Sequence, residues 1–323
     1  MHAASMTLLA WAMIGAACCF PSAAVIPVGG VLALLVAVIG LPHGAADHRF
    51  ARRRLEPLLG PAWGGVFLLT YLAIASGVVL GWFFEPAATI LVFLMASAWH
   101  FGQEEPDLAP GPRGMKMLRP AFRVARGGLV IWVPVAFQTD EVVRILSLAA
   151  PRGAAPQIQW AVDALVVCSW AMLAVEVVAV AWQSLSAAAS RGRRRRILLL
   201  DTFMIVSFAT VLAWMNPIVG FLLYFCGWHS ARGLRRLRRE LGESWWQLAM
   251  GLAPMTALSI ALIALTTCLV LQAPTWNDTL IRATFVGLSA VAVPHLVLHG
   301  VGPVLDRVAR HHAAATVGFG GAA

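Results

Sequence analysis

Long stretches almost free of charge recur along this chain, with clusters of arginine standing between them. A hydrocarbon layer about 30 Å thick takes about 20 helical residues to cross. Within it each backbone polar group must be satisfied by its own segment or a closed sheet, so long apolar runs are expected to be helices. The runs place spans at about 5–21, 24–41, 63–83, 87–101, 124–137, 160–182, 198–213, 216–230, 247–271 and 280–300. Several are short. The expected architecture is an all-α, polytopic membrane helix bundle of about ten transmembrane helices, within a range of eight to ten. One integral domain covers 1–323, with a mobile tail expected from about 304. Asn216-Pro217 reads as a tight turn that opens a helix.

Arginine sets the orientation. Of the 24 basic residues, 21 fall on one face of the proposed bundle and three (Arg144, Arg152 and Arg282) on the other. The positive-inside rule assigns the basic face and both termini to the cytoplasm, making this a multi-pass protein of the cell (inner) membrane. The net charge of +9 is then a topology signal. Nucleic-acid binding is not expected, because the chain offers neither a soluble domain nor aromatics interleaved with the basic clusters. Cys18, Cys19, Cys168, Cys226 and Cys268 lie in or beside apolar runs without metal spacing and read as small buried hydrophobes. No Lys or Arg precedes the first apolar run, which favours a span over a signal peptide.

Histidines carry the chemistry. His43, His100, His229 and His295 sit at the ends of apolar runs, where imidazole lacks hydrogen-bond partners. A single histidine at a helix end often bonds a free carbonyl. Four of them, all at similar predicted depth near the inner boundary, suggest one shared role: convergent neutral imidazoles holding a metal inside the bundle. His299, one turn after His295, reads as an ordinary helix-end residue, and His2, His311 and His312 fall in tails. Asp47 lies four residues after His43, and Glu104 four after His100. On a continuing helix each carboxylate shares a face with its histidine and could orient it. His48 and Glu105 read as solvated. Gly44 and Gly102 would admit a close neighbour. Trp99, Phe101, Tyr224, Phe225 and Trp228 adjoin the sites, with Trp99 and Trp228 the aromatic candidates for the cofactor's surroundings or for interfacial anchors. Imidazoles without thiolate or a carboxylate cage suit iron, copper or zinc. Apolar surroundings point to a lipophilic substrate, and so to oxidation of a membrane lipid or isoprenoid.

The motifs Pro42-His43-Gly44-Ala45-Ala46-Asp47-His48, Trp99-His100-Phe101-Gly102-Gln103-Glu104, Trp228-His229-Ser230-Ala231-Arg232 and Val293-Pro294-His295 occur in this order. Together they resemble the signatures of the Brp/Blh family, the integral membrane β-carotene 15,15'-dioxygenases named for bacteriorhodopsin-related proteins. The resemblance implies a multi-helix enzyme that uses Fe(II) and O2 to split the central double bond of β-carotene into two molecules of all-trans-retinal. A microbial rhodopsin would then be the retinal acceptor. It also implies iron ligands at His43, His100 and His229. The family's fourth histidine follows the third by four residues, and that position here is Gly233. His295, in the last motif, could complete the set. Two other readings remain: a non-catalytic carotenoid or retinal carrier that lost a ligand at Gly233, and a membrane lipid desaturase or hydroxylase, whose dense histidine boxes this chain lacks.

Overall fold

The computed structural model describes residues 28–104, 117–151, 153–270 and 273–319, and every element among them is helical. The proposed first span at 5–21, Cys18, Cys19, Glu105, Arg113, Lys116 and Arg152 lie outside the described residues. In chain order the helices are α1 (Val28–Leu35), α2 (Leu41–Ala45), α3 (Asp47–Leu59), α4 (Trp63–Phe84), α5 (Pro86–Glu104), α6 (Arg119–Gly127) and α7 (Leu129–Phe137). They continue as α8 (Thr139–Ala149), α9 (Ala155–Ala188), α10 (Gly192–Trp214), α11 (Pro217–Leu222), α12 (Ala231–Leu241), α13 (Trp245–Val270) and α14 (Trp276–Phe319). α14 runs on as helix through the stretch expected to form the tail.

Among the described residues, five helical stretches (29–84, 155–188, 192–214, 245–269 and 276–308) are long and apolar enough to cross a membrane. The count is six if α6 and α7 form one bent span. α4 is apolar on all sides, which suits a helix facing both lipid and protein. The expected straight span at 124–137 is instead the α6–α7 pair, bent by 66°. Gly128 sits at the bend, and a β-carbon there would overlap the Trp132 indole, whose Nε1 donates to the Val124 carbonyl at 3.1 Å.

Two backbone devices aim histidines inward. π-helical segments at Val36–Gly40 and Leu223–Ser230 interrupt the α-register, the first just before His43 and the second containing His229. Pro42 offers no backbone N–H, and the Leu41 N–H reaches back five residues to the Val36 carbonyl. At the far end of the bundle Asn216 caps α11: its Oδ1 accepts from the Ile218 N–H at 3.0 Å, with Pro217 in the first helical position. This is the turn expected from sequence.

Small residues and buried hydrogen bonds fix the neighbours. A β-carbon on Gly127 would come within 2.6 Å of the Ala98 carbonyl, so α6 and α5 pack backbone against backbone through Gly127 and Gly102. Trp82 of α4 donates to the Ser289 hydroxyl of α14 at 2.7 Å. The apolar core gathers Leu32, Trp82, Ile90, Trp132, Ile158, Leu165, Leu212 and Ile281 from seven helices. α8 closes one end of the bundle. Gln138 before it donates to the Leu212 and Met215 carbonyls, and Arg282 of α14 donates to the carbonyls of Leu148 and Ala150.

The basic clusters do not all remain in loops. Arg126, counted with the basic face though it falls at the start of the expected span 124–137, is buried, and it bonds Glu176 of α9 at 3.0 Å and Asp201 of α10 at 3.5 Å. Gln183 joins the cluster, accepting from Arg126 at 3.3 Å and donating to Asp201 at 2.5 Å. An arginine at this depth is held by paired carboxylates because hydrocarbon offers it nothing else.

Candidate metal centre

Three helices and the second π-segment bring their histidines to one place. α2 supplies His43, α5 supplies His100, the π-helical segment before α12 supplies His229, and α14 supplies His295. Their rings form a closed circuit: His43 to His229 is 5.1 Å between centroids, His229 to His100 is 5.3 Å, His100 to His295 is 5.0 Å and His295 to His43 is 5.4 Å. Imidazoles whose nitrogens share an ion at about 2.1 Å have ring centres on the order of 5 Å apart. The His100 and His295 Nε2 atoms lie 3.4 Å apart, and His43 Nε2 is buried without a hydrogen-bond partner. An unpartnered buried nitrogen on a ring packed against two other imidazoles fits a metal ligand.

Each expected carboxylate is present but holds a different histidine from the one sequence spacing implies. Asp47, 2% exposed, bonds His295 Nδ1 at 2.8 Å and not His43. α2 ends at Ala45 and a turn at Ala46 precedes α3, so Asp47 leaves the face of His43. Glu104 lies 3.4 Å from His229 Nδ1, across the bundle from the helix that carries it. Carboxylates in these positions hold the ring nitrogen opposite the one that would meet a metal.

His299, read from sequence as an ordinary helix-end residue, joins the group. Its ring centre is 4.4 Å from that of His295 and 5.9 Å from that of His100. The i, i+4 spacing from His295 is the signal that would have found it. Tyr71 of α4 also stands nearby, donating to the Val291 carbonyl of α14 at 2.8 Å. Trp99 and Trp228 are not brought to the centre. Trp99 is 44% exposed, and Trp228 packs under the Arg232 guanidinium at 5.4 Å. Phe101 and Phe225 are the aromatics against the histidines, with ring centres 4.7 and 6.0 Å from His229. His48 bonds the Ala45 carbonyl at 2.6 Å, outside the ring of four.

Gly233 proves to be a packing position. A β-carbon there would overlap the Cε1–Nδ1 edge of His43, so the His43 ring occupies the space a side chain at 233 would need. A fourth imidazole on α12 and the observed His43 rotamer exclude each other, and His295 supplies the fourth corner.

The four histidines form one end of an apolar cavity. It encloses about 1120 Å³ including its mouth, and Phe93, Val135, Ile145, Leu146, Ile218 and Phe285 line its length toward α8. An apolar lining with the imidazoles at one end suits an apolar ligand better than a polar one.

A family model described as beta-carotene 15,15'-dioxygenase matches residues 34–301. A protein named beta-carotene 15,15'-dioxygenase from uncultured marine bacterium 66A03 is 27% identical over 274 residues, covering 82% of this chain and 90% of the relative. One from Halobacterium salinarum, named probable beta-carotene 15,15'-dioxygenase Blh, is 26% identical over 284 residues, covering 80% and 79%. No solved structure matches. The four histidines, their carboxylates and the apolar cavity all fall within the matched region, and the chain belongs to the beta-carotene 15,15'-dioxygenase family.

Proposed function

We propose that this protein is a non-haem iron dioxygenase of the cell (inner) membrane that cleaves β-carotene at the central 15,15' double bond with O2, giving two molecules of all-trans-retinal. One observation carries the reading: four imidazoles from four parts of the bundle close a ring at the inner end of a cavity whose walls are apolar. His43, His100, His229 and His295 would hold Fe(II). Neutral ligands suit a ferrous ion that keeps a coordination position open, and the ion supplies the one-electron chemistry that O2 needs to react with a closed-shell alkene.

The protein's own part is binding, orientation and exclusion of water. The cavity buries one arm of the polyene against Phe93, Val135, Ile145 and Phe285, and a hydrocarbon without polar groups is recognised by shape and burial alone. Asp47 and Glu104 hold the Nδ1 sides of His295 and His229, which keeps each Nε2 directed at the centre. Phe101 and Phe225 shield His229 from water. Each retinal takes one oxygen atom, so the reaction needs no acid or base to remove a leaving group, which agrees with a site built of imidazoles and hydrocarbon.

The topology that fits this reading is a single integral domain of about ten crossings with both termini cytoplasmic. Arg49 pairs with Glu243 and Arg54 with Asp306, gathering α3, the α12–α13 turn and α14 at the basic end. Retinal released into the bilayer would be available to a microbial rhodopsin. The test is production in β-carotene-making cells: loss of orange colour with appearance of retinal is expected. Unchanged carotenoid at normal protein levels would defeat the reading.

A further inference from the structure

His295 stands between two sets of donor atoms. Its Nε2 faces the ring of four, 3.4 Å from His100 Nε2. Its Nδ1 faces away from that ring, 2.8 Å from Asp47 Oδ1, and the same oxygen lies 3.6 Å from His299 Nε2. One donor atom from each of Asp47, His295 and His299 falls within 4.8 Å of the others. Donors that share a cation at about 2.1 Å stand roughly 3.0–3.4 Å apart, so the two separations bracket the value a common ion imposes.

Two atoms at this position, Asp47 Oδ2 and His299 Nε2, are buried without a hydrogen-bond partner. Asp47 is 2% exposed, and among the described residues no arginine or lysine pairs with it. A carboxylate oxygen and an imidazole nitrogen buried without partners are both costly, and one ion bound by His299 Nε2 and by both oxygens of Asp47 would satisfy both.

We propose that Asp47, His295 and His299 form a second cation position beside the four-imidazole centre, joined to it through the opposite nitrogen of His295. Two imidazoles and one carboxylate form the ligand set that suits Fe(II), and the same set takes Zn(II), Mn(II) or Co(II). The pair of positions rests on the reading of the four-imidazole ring as a metal centre; the triad itself does not.

The test is Co(II) titration of purified, chelator-stripped protein in detergent, read as equivalents bound in equilibrium dialysis and by the visible absorption of Co(II). Two equivalents are expected in the wild type and one in His299→Ala and in Asp47→Asn. His229→Ala is expected to keep the triad's equivalent. His299→Gln, which preserves size and polarity, should match His299→Ala in metal count, and circular dichroism of each variant reports whether it is folded. One equivalent in the wild type that is lost in His229→Ala and kept in folded His299→Ala or His299→Gln overturns the proposal, as do two equivalents retained in His299→Ala. One equivalent lost in His299→Ala but kept in His229→Ala upholds the triad and defeats the four-imidazole reading instead.

Discussion

His43 rests against Gly233, and that contact leaves no room for a side chain there. A side chain at 233 and the His43 ring compete for one volume, and close-packed interiors do not absorb such an overlap. Gly233→Ala should displace His43 and lower bound iron, and Gly233→His should lower it further instead of restoring a ligand. Metal analysis of the two purified variants checks this, and a gain of iron in Gly233→His would contradict it. The histidines themselves were legible in sequence, because imidazole in an apolar run is conspicuous. Their partners were not. Asp47 and His295 are 248 residues apart, and the i, i+4 rule that tied Asp47 to His43 fails at the Ala46 turn. His299 was passed over because one histidine near a helix end carries no signal until the carboxylate it faces is known.

At the scale of the helices, hydropathy located α4 almost to the residue, Trp63–Phe84 against an expected 63–83. It did not foresee the α6–α7 bend, which follows from Gly128 accommodating the Trp132 indole, or the π-segments that redirect His43 and His229. Nor did it foresee where Arg126 goes, since a positive charge counted among loop residues reads as solvated until its carboxylate partners on α9 and α10 are in place. Arg126→Leu should destabilise the bundle by about 3–5 kcal/mol, because it removes the guanidinium shared by the buried Glu176 and the part-exposed Asp201. Thermal unfolding in detergent measures the effect. A variant as stable as the wild type would mean the cluster contributes nothing to holding α6, α9 and α10 together.

Across the whole molecule, the division of basic residues and the cavity give separate predictions. Single cysteines near Arg52, Arg194 and Arg236, in a background lacking the native five, should resist an impermeant thiol reagent in intact cells. Labelling of any two from outside would reverse the proposed orientation. Ile145 lines the cavity from α8, which Gln138 and Arg282 tie in place. Ile145→Trp should therefore cut retinal formation while leaving bound iron unchanged, since it fills the substrate's space and touches no histidine.

The most direct test of the central claim combines iron content with retinal yield across His43→Ala, His100→Ala, His229→Ala and His295→Ala. Four ligands from separate parts of the bundle close one shell, and loss of any one leaves it incomplete. Each variant should lose most of the iron held by the ring, and its retinal should fall to background while the protein remains folded. Wild-type iron and wild-type retinal in any one of the four would contradict the account.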